Sequence, residues 1–210
     1  MIKLVKSKNI ATQDLVDEVI AIDPVKPVAA KNQKEYVASV NDKKSNNSVT
    51  VSSKSLVAGE QDYQKSLRLF IDDNLKLSDQ FVKAAIQKND LEKYHLLQAR
   101  IYIKQKDSDK FYALVKDHPD NDSLDWFKLI APGLQLFSYY QLSNQYYYSL
   151  IKVEPDQIRW QLATALNYQR MGDKNEAIAT YKKLYESDQV SNQQRQWLIK
   201  KIERLSAEKV

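Results

Sequence analysis

The sequence has no cysteine, two histidines, three glycines and five prolines in 210 residues. Without cysteine there is no disulfide, no thiol nucleophile and no thiolate metal site, and two histidines leave little room for imidazole chemistry. Three glycines are too few for a phosphate-cradling loop or a turn-rich β-sandwich. No HExxH, GxSxG or Walker pattern occurs. No run approaches the ~20 consecutive apolar residues of a membrane helix. Lys3, Lys6 and Lys8 are followed by no apolar stretch, so the first residues do not read as a secretory signal. The expectation is a non-enzyme with neither cofactor nor metal.

What is present is an ordinary core-forming composition, 43% hydrophobic and 28% charged, with a net charge of +5. Residues 1–58 hold nine lysines against six acids, whereas the remainder is nearly balanced. That balance is unlike a surface built to neutralise many phosphates. Pro24, Pro27 and the polar run from Asn41 to Ser48 break the N-terminal part, which reads as a largely disordered basic linker. An isolated helix at 12–22 would have no neighbour to bury its stripe of Leu15, Val16, Val19 and Ile20. The domain proper is expected over 59–210.

From Gln61 onward the apolar spacing is helical. Breaks fall at Asn89-Asp90, Lys106-Asp107, His118-Pro119, Glu154-Pro155, Gly172-Asp173 and Asp188 to Ser191. Asp173 to Glu176 and Ser191 to Gln194 have capping-box spacing. These marks predict helix pairs over 61–73 with 78–88, 91–105 with 108–117, then 124–157 and 158–191, closed by a capping helix over 191–207. The expected fold is all-α, an α-solenoid of about four helical hairpins and a cap.

One constant shift superposes Trp126 on Trp160, Ala131 on Ala165, Gln135 on Gln169, Tyr147 on Tyr181 and Leu150 on Leu184. It matches the period of about 34 residues that marks the tetratricopeptide (TPR) helix–turn–helix repeat. Small residues at Ala131, Ser143, Ala165 and Ala177 would let paired helices approach closely, and Gly172 would permit a left-handed helix end. Pro132-Gly133 interrupts this logic. It implies either a helix starting near Pro132 or one kinked there.

The stretches from Leu97 to Lys106, from Tyr146 to Pro155, from Arg159 to Leu166, from Ala177 to Tyr181 and from Arg195 to Leu205 resemble the TPR proteins of type IV (MSHA) pilus biogenesis. The resemblance covers roughly 60–210. It implies a repeat domain on the periplasmic face of the inner membrane, behind a membrane helix not found in this sequence, that assembles with pilus or secretion components. The other reading is a cytoplasmic TPR adaptor or regulator whose basic N-terminal segment contacts nucleic acid or membrane.

The resemblance further implies a peptide groove lined by the first helix of each repeat. Its positions are Asp125, Lys128, Pro132, Gln135 and Leu136 in one unit, and Arg159, Leu162, Leu166, Gln169 and Arg170 in the next. Pro132 and Leu166 stand where chaperone-binding TPRs place a clamp asparagine, so a charged terminus is not the expected ligand. Tyrosine, 13 in all, clusters at Tyr139, Tyr140, Tyr146, Tyr147 and Tyr148. One helix face cannot bury all of these, which makes Tyr139, Tyr140, Tyr146 and Tyr148 a second candidate binding surface. His118, before Pro119, reads as a helix-end residue.

Overall fold

A computed structural model describes residues 53–207. Of the linker expected over 1–58, residues 1–52 lie outside the described residues, and so does the short helix expected at 12–22. Among the described residues all regular structure is helical, in nine helices: α1 (Ser53–Ile71), α2 (Leu75–Lys88), α3 (Glu92–Gln105), α4 (Ser108–Asp117), α5 (Leu124–Leu136), α6 (Tyr140–Val153), α7 (Ile158–Met171), α8 (Lys174–Glu186) and α9 (Asn192–Ala207). None is long and apolar enough to cross a membrane. The helical region begins at Ser53 rather than at 59, because no proline interrupts the chain between Ser53 and Asp72 and a lone Gly59 is tolerated within the helix. Residues 53–58, expected to belong to the linker, are therefore helical.

Four turns carry the architecture. Asp73, Lys106, Ser138 and Gly172 all have positive φ, between 57° and 85°. In each turn the positive-φ residue donates its N–H three residues back, and its successor donates five back, as in Asn74 to Leu69, Asp107 to Tyr102, Tyr139 to Leu134 and Asp173 to Tyr168. This paired bonding satisfies the last carbonyls of each first helix and reverses the chain. The interval from Asp73 to Lys106 is one position shorter than that from Ser138 to Gly172, and the interval from Lys106 to Ser138 is two shorter. A constant shift therefore aligns only the last two hairpins.

Counting from the turns reveals one frame in all four hairpins. Seven residues before each turn residue stand Ser66, Ala99, Ala131 and Ala165, and five after it Ser78, Phe111, Ser143 and Ala177. All eight are fully buried. Nine after it, Val82, Val115, Tyr147 and Tyr181 are buried as well. Phe111 is the bulky exception at a position otherwise small. A Cβ on Gly133 would lie 2.4 Å from Phe111 Cζ and 3.1 Å from Ile103 Cδ1. Gly133 thus makes room for the Phe111 ring, and α5 runs unbroken through Pro132, with no separate turn before it.

The described residues divide into two compact units, 53–98 and 99–207. In the first, α1 packs on α2 through Ser66 and Ser78, each hydroxyl donating 2.8 Å to the other residue's carbonyl. Glu60 accepts from Lys93 at 2.5 Å, and Tyr63 lies 5.0 Å from Tyr94, centroid to centroid. In the second unit, α5 through α9 pack each on the next. Ala131, Tyr147, Leu150, Trp160 and Ala163 form one core, and Ala165, Ala177, Tyr181, Leu184, Val190, Leu198 and Leu205 another. A buried polar link crosses three helices: Ser143 donates to the Ala131 carbonyl at 2.8 Å, and Asn167 donates to Ser143 and Asn144 at 3.0 and 2.8 Å.

Helix ends follow local chemistry. Ser191 accepts from the Gln194 N–H at 3.3 Å while the Gln194 amide oxygen accepts from the Ser191 N–H at 2.7 Å, a complete capping box. Asp173 makes no such side-chain bond, so the second expected box does not form. Ser123 and Asp107 cap α5 and α4 instead. His118 closes α4, its Nδ1 2.9 Å from the Leu114 carbonyl.

Candidate functional site

The residues expected to line a first-helix groove have several different environments. Asp125 and Leu136 are exposed, whereas Pro132 and Gln135 are buried. Gln135 accepts from Tyr147 Oη at 2.9 Å, and Gln169 accepts from Tyr181 Oη at 3.2 Å. The same sequence separation in both pairs places the glutamine of one helix opposite the tyrosine of its partner. Both amides are thus held within their hairpins. Burial raises the pKa of both phenols, so they remain hydroxyl donors.

Lys128 bridges to Glu154 at 2.6 Å, and Trp160 Nε1 donates to the same carboxylate at 3.1 Å. The Lys128 ammonium holds Glu154 below the usual carboxylate range; partial burial opposes this, and Trp160 and Arg159 reinforce it. Glu154 so joins α5 to α7. Arg159 lies 4.1 Å above the Trp160 ring. Leu162 is half-buried on the C-terminal core and lines an apolar crevice of about 40 Å³ with Ile158, Leu184, Val190, Trp197 and Leu198. Leu166 is half-buried and Arg170 exposed. Leu162 therefore serves the packing of α9 on its neighbours.

The tyrosines separate in the same way. Tyr146 is half-buried with its ring edge-on to Phe127 at 5.8 Å. Tyr148 is exposed, its hydroxyl 2.5 Å from that of Tyr168. Tyr139 and Tyr140 instead reach an open cleft of about 530 Å³, lined by Tyr112 of α4, Ser138 to Leu142 and Gln145 of the α5–α6 turn and α6, and Met171 of α7. Tyr112 and Tyr139 stack at 4.6 Å with 18° between planes. Ser138 Oγ lies 3.0 Å from Tyr140 Oη, and Arg170 Nη1 donates to that oxygen at 3.5 Å with its guanidinium 5.6 Å from the ring.

Two features shape this cleft. The left-handed backbone at Ser138 turns the chain so that Tyr139 and Tyr140 leave it in succession toward different partners. Burial raises the pKa of Tyr140, but the Ser138 and Arg170 bonds and the Arg170 charge outweigh it, leaving the phenol below its ordinary value. The lining carries aromatic faces, hydroxyls, amides and a thioether, and among the described residues no histidine or carboxylate. It can bind by stacking and hydrogen bonding. Tyr112, Ser138, Gln141, Gln145 and Met171 were not among the residues expected from the sequence. A left-handed serine carries no sequence mark, and Tyr112 and Met171 belong to neighbouring hairpins.

No family model, curated protein or solved structure matches the chain.

Proposed function

We propose that the protein is a non-catalytic, protein-binding scaffold of the tetratricopeptide type, acting in assembly of a type IV (MSHA-like) pilus or related envelope secretion machinery. The observation that carries the interaction reading is the tyrosine-lined cleft, offered at the turn end of a repeated helix–turn–helix frame. Tyrosine contributes large rigid contact area at low entropic cost, and such side chains dominate binding surfaces. Helical repeats present neighbouring units as extended binding surfaces. The pilus setting rests on the sequence stretches between Leu97 and Leu205 quoted above.

Photo-crosslinking tests this reading in cells that make the protein. A crosslinking residue placed at Gln141 or Gln145 should capture a defined protein, and one placed at Glu203 on the exposed side of α9 should not. Equal capture at all three positions would remove the cleft as the binding site. Capture of proteins unrelated to pilus or secretion assembly would overturn the cellular assignment.

A further inference from the structure

We infer that the cleft takes an extended, proline-containing segment of a partner protein with an acidic residue beside it. This deepens the interaction reading and rests on it. Gln141 and Gln145 are four residues apart on α6, hence on one face, and both are exposed. Each side-chain amide offers a donor and an acceptor, the complement of a peptide group that has neither bond filled. A helix has already paired its backbone, whereas a polyproline-II segment has not. The half-buried rings of Tyr112, Tyr139 and Tyr140 line the cleft with Leu142 and Met171, and the ring surface left outside the Tyr112–Tyr139 stack supplies apolar contact for pyrrolidine rings.

Charge selects the flank. Among the described residues no carboxylate lines the cleft. Arg170 stands over Tyr140, and Lys116 Nζ lies 5.8 Å from the Tyr112 ring centroid. Cations therefore sit beside two of the three tyrosines. They oppose a basic ligand and favour an acidic residue next to the prolines, with Arg170 as its partner.

Fluorescence anisotropy with the full chain tests this with three labelled peptides. The first alternates proline and leucine and ends in two glutamates. The second replaces each proline by alanine, and the third each glutamate by lysine. The first should bind, and each replacement should weaken binding by roughly fivefold or more, about 1 kcal/mol by the affinity relation. Gln141→Ala with Gln145→Ala should weaken the first peptide to a similar degree, with the helical circular-dichroism spectrum unchanged. Arg170→Gln should abolish the preference for glutamate over lysine while retaining the preference for proline. No binding up to about 1 mM, a dissociation constant worth only about 4 kcal/mol, would overturn the inference. Equal binding of the alanine peptide would do the same. If crosslinking still captures a protein at the cleft, that failure removes the partner's chemistry alone and leaves the interaction reading intact.

Discussion

At the scale of single residues, Gly133 and Glu154 hold the second compact unit together for different reasons. Gly133 lies under the Phe111 ring, where a methyl group would sit 2.4 Å from Cζ. Because Phe111 is fully buried, the ring has no free direction in which to yield. Gly133→Ala should destabilise by about 1–3 kcal/mol, the usual cost of overpacking, despite the better helix propensity of alanine. Urea unfolding measures this, and an unchanged or raised midpoint would contradict the contact. Glu154 ionises more readily in the folded chain than in the unfolded one. Its stabilisation is therefore present above the unfolded-state pKa and is lost as pH falls through the lower folded-state pKa. Glu154→Gln should lower the thermal midpoint at about pH 7, and by less at an acidic pH below the folded-state pKa, where the native carboxyl is protonated too. An equal deficit at both pH values would assign the loss to the Trp160 hydrogen bond rather than to charge.

At the scale of elements, the four turns share one backbone geometry with only one glycine among them. A left-handed non-glycine residue costs on the order of 1–2 kcal/mol. Lys106 has φ 57° and an exposed side chain, so Lys106→Gly should stabilise by about 0.5–1 kcal/mol after the entropy of the more flexible unfolded chain is counted. Gly172→Ala should destabilise by about 1 kcal/mol through backbone strain alone, since an added Cβ there meets nothing within 4 Å. Opposite signs for the two variants in denaturant titrations are the expected outcome. Matching signs would mean that these turns do not share the strain. The helix starts divide similarly: Ser191 makes the reciprocal cap and Asp173 does not. Capping-box spacing in the sequence permits the bond without compelling it, because side-chain rotation decides whether the oxygen reaches the N–H.

Over the whole molecule, the frame counted from the turns assigns each residue a packing role wherever it falls. Ala177 and Ala179 are two residues apart on α8, yet the first is fully buried and the second exposed. Ala177→Leu should cost about 1–3 kcal/mol and Ala179→Leu close to nothing. Comparable melting temperatures would show the frame to be misplaced. The frame also separates stability from binding at the sites expected for the groove. Leu162 is packed with residues of the C-terminal core, so polar substitution there would report on folding. The cleft residues Gln141 and Gln145 are exposed, so substitution there leaves the core packing intact.

Composition and periodicity were enough to read the helices from residue 61 onward, the constant shift relating the last two hairpins and the small residues at Ala131, Ser143, Ala165 and Ala177. These properties are local: a glycine shortage, apolar spacing and proline positions act along a few turns of chain. The same spacing did not reveal that the first two hairpins belong to the frame. The intervals between their turns fall short of the later one by one and two positions, and Asp73 and Lys106 carry no mark of the left-handed backbone they adopt. Tertiary structure alone decided the candidate surface. Whether Gln135 faces a ligand or Tyr147 depends on which helix lies opposite it, and the cleft forms where Tyr112 of one hairpin meets Tyr139 of the next. A single helix face can present a tyrosine, but only packing decides which tyrosines are covered and which remain open to a partner.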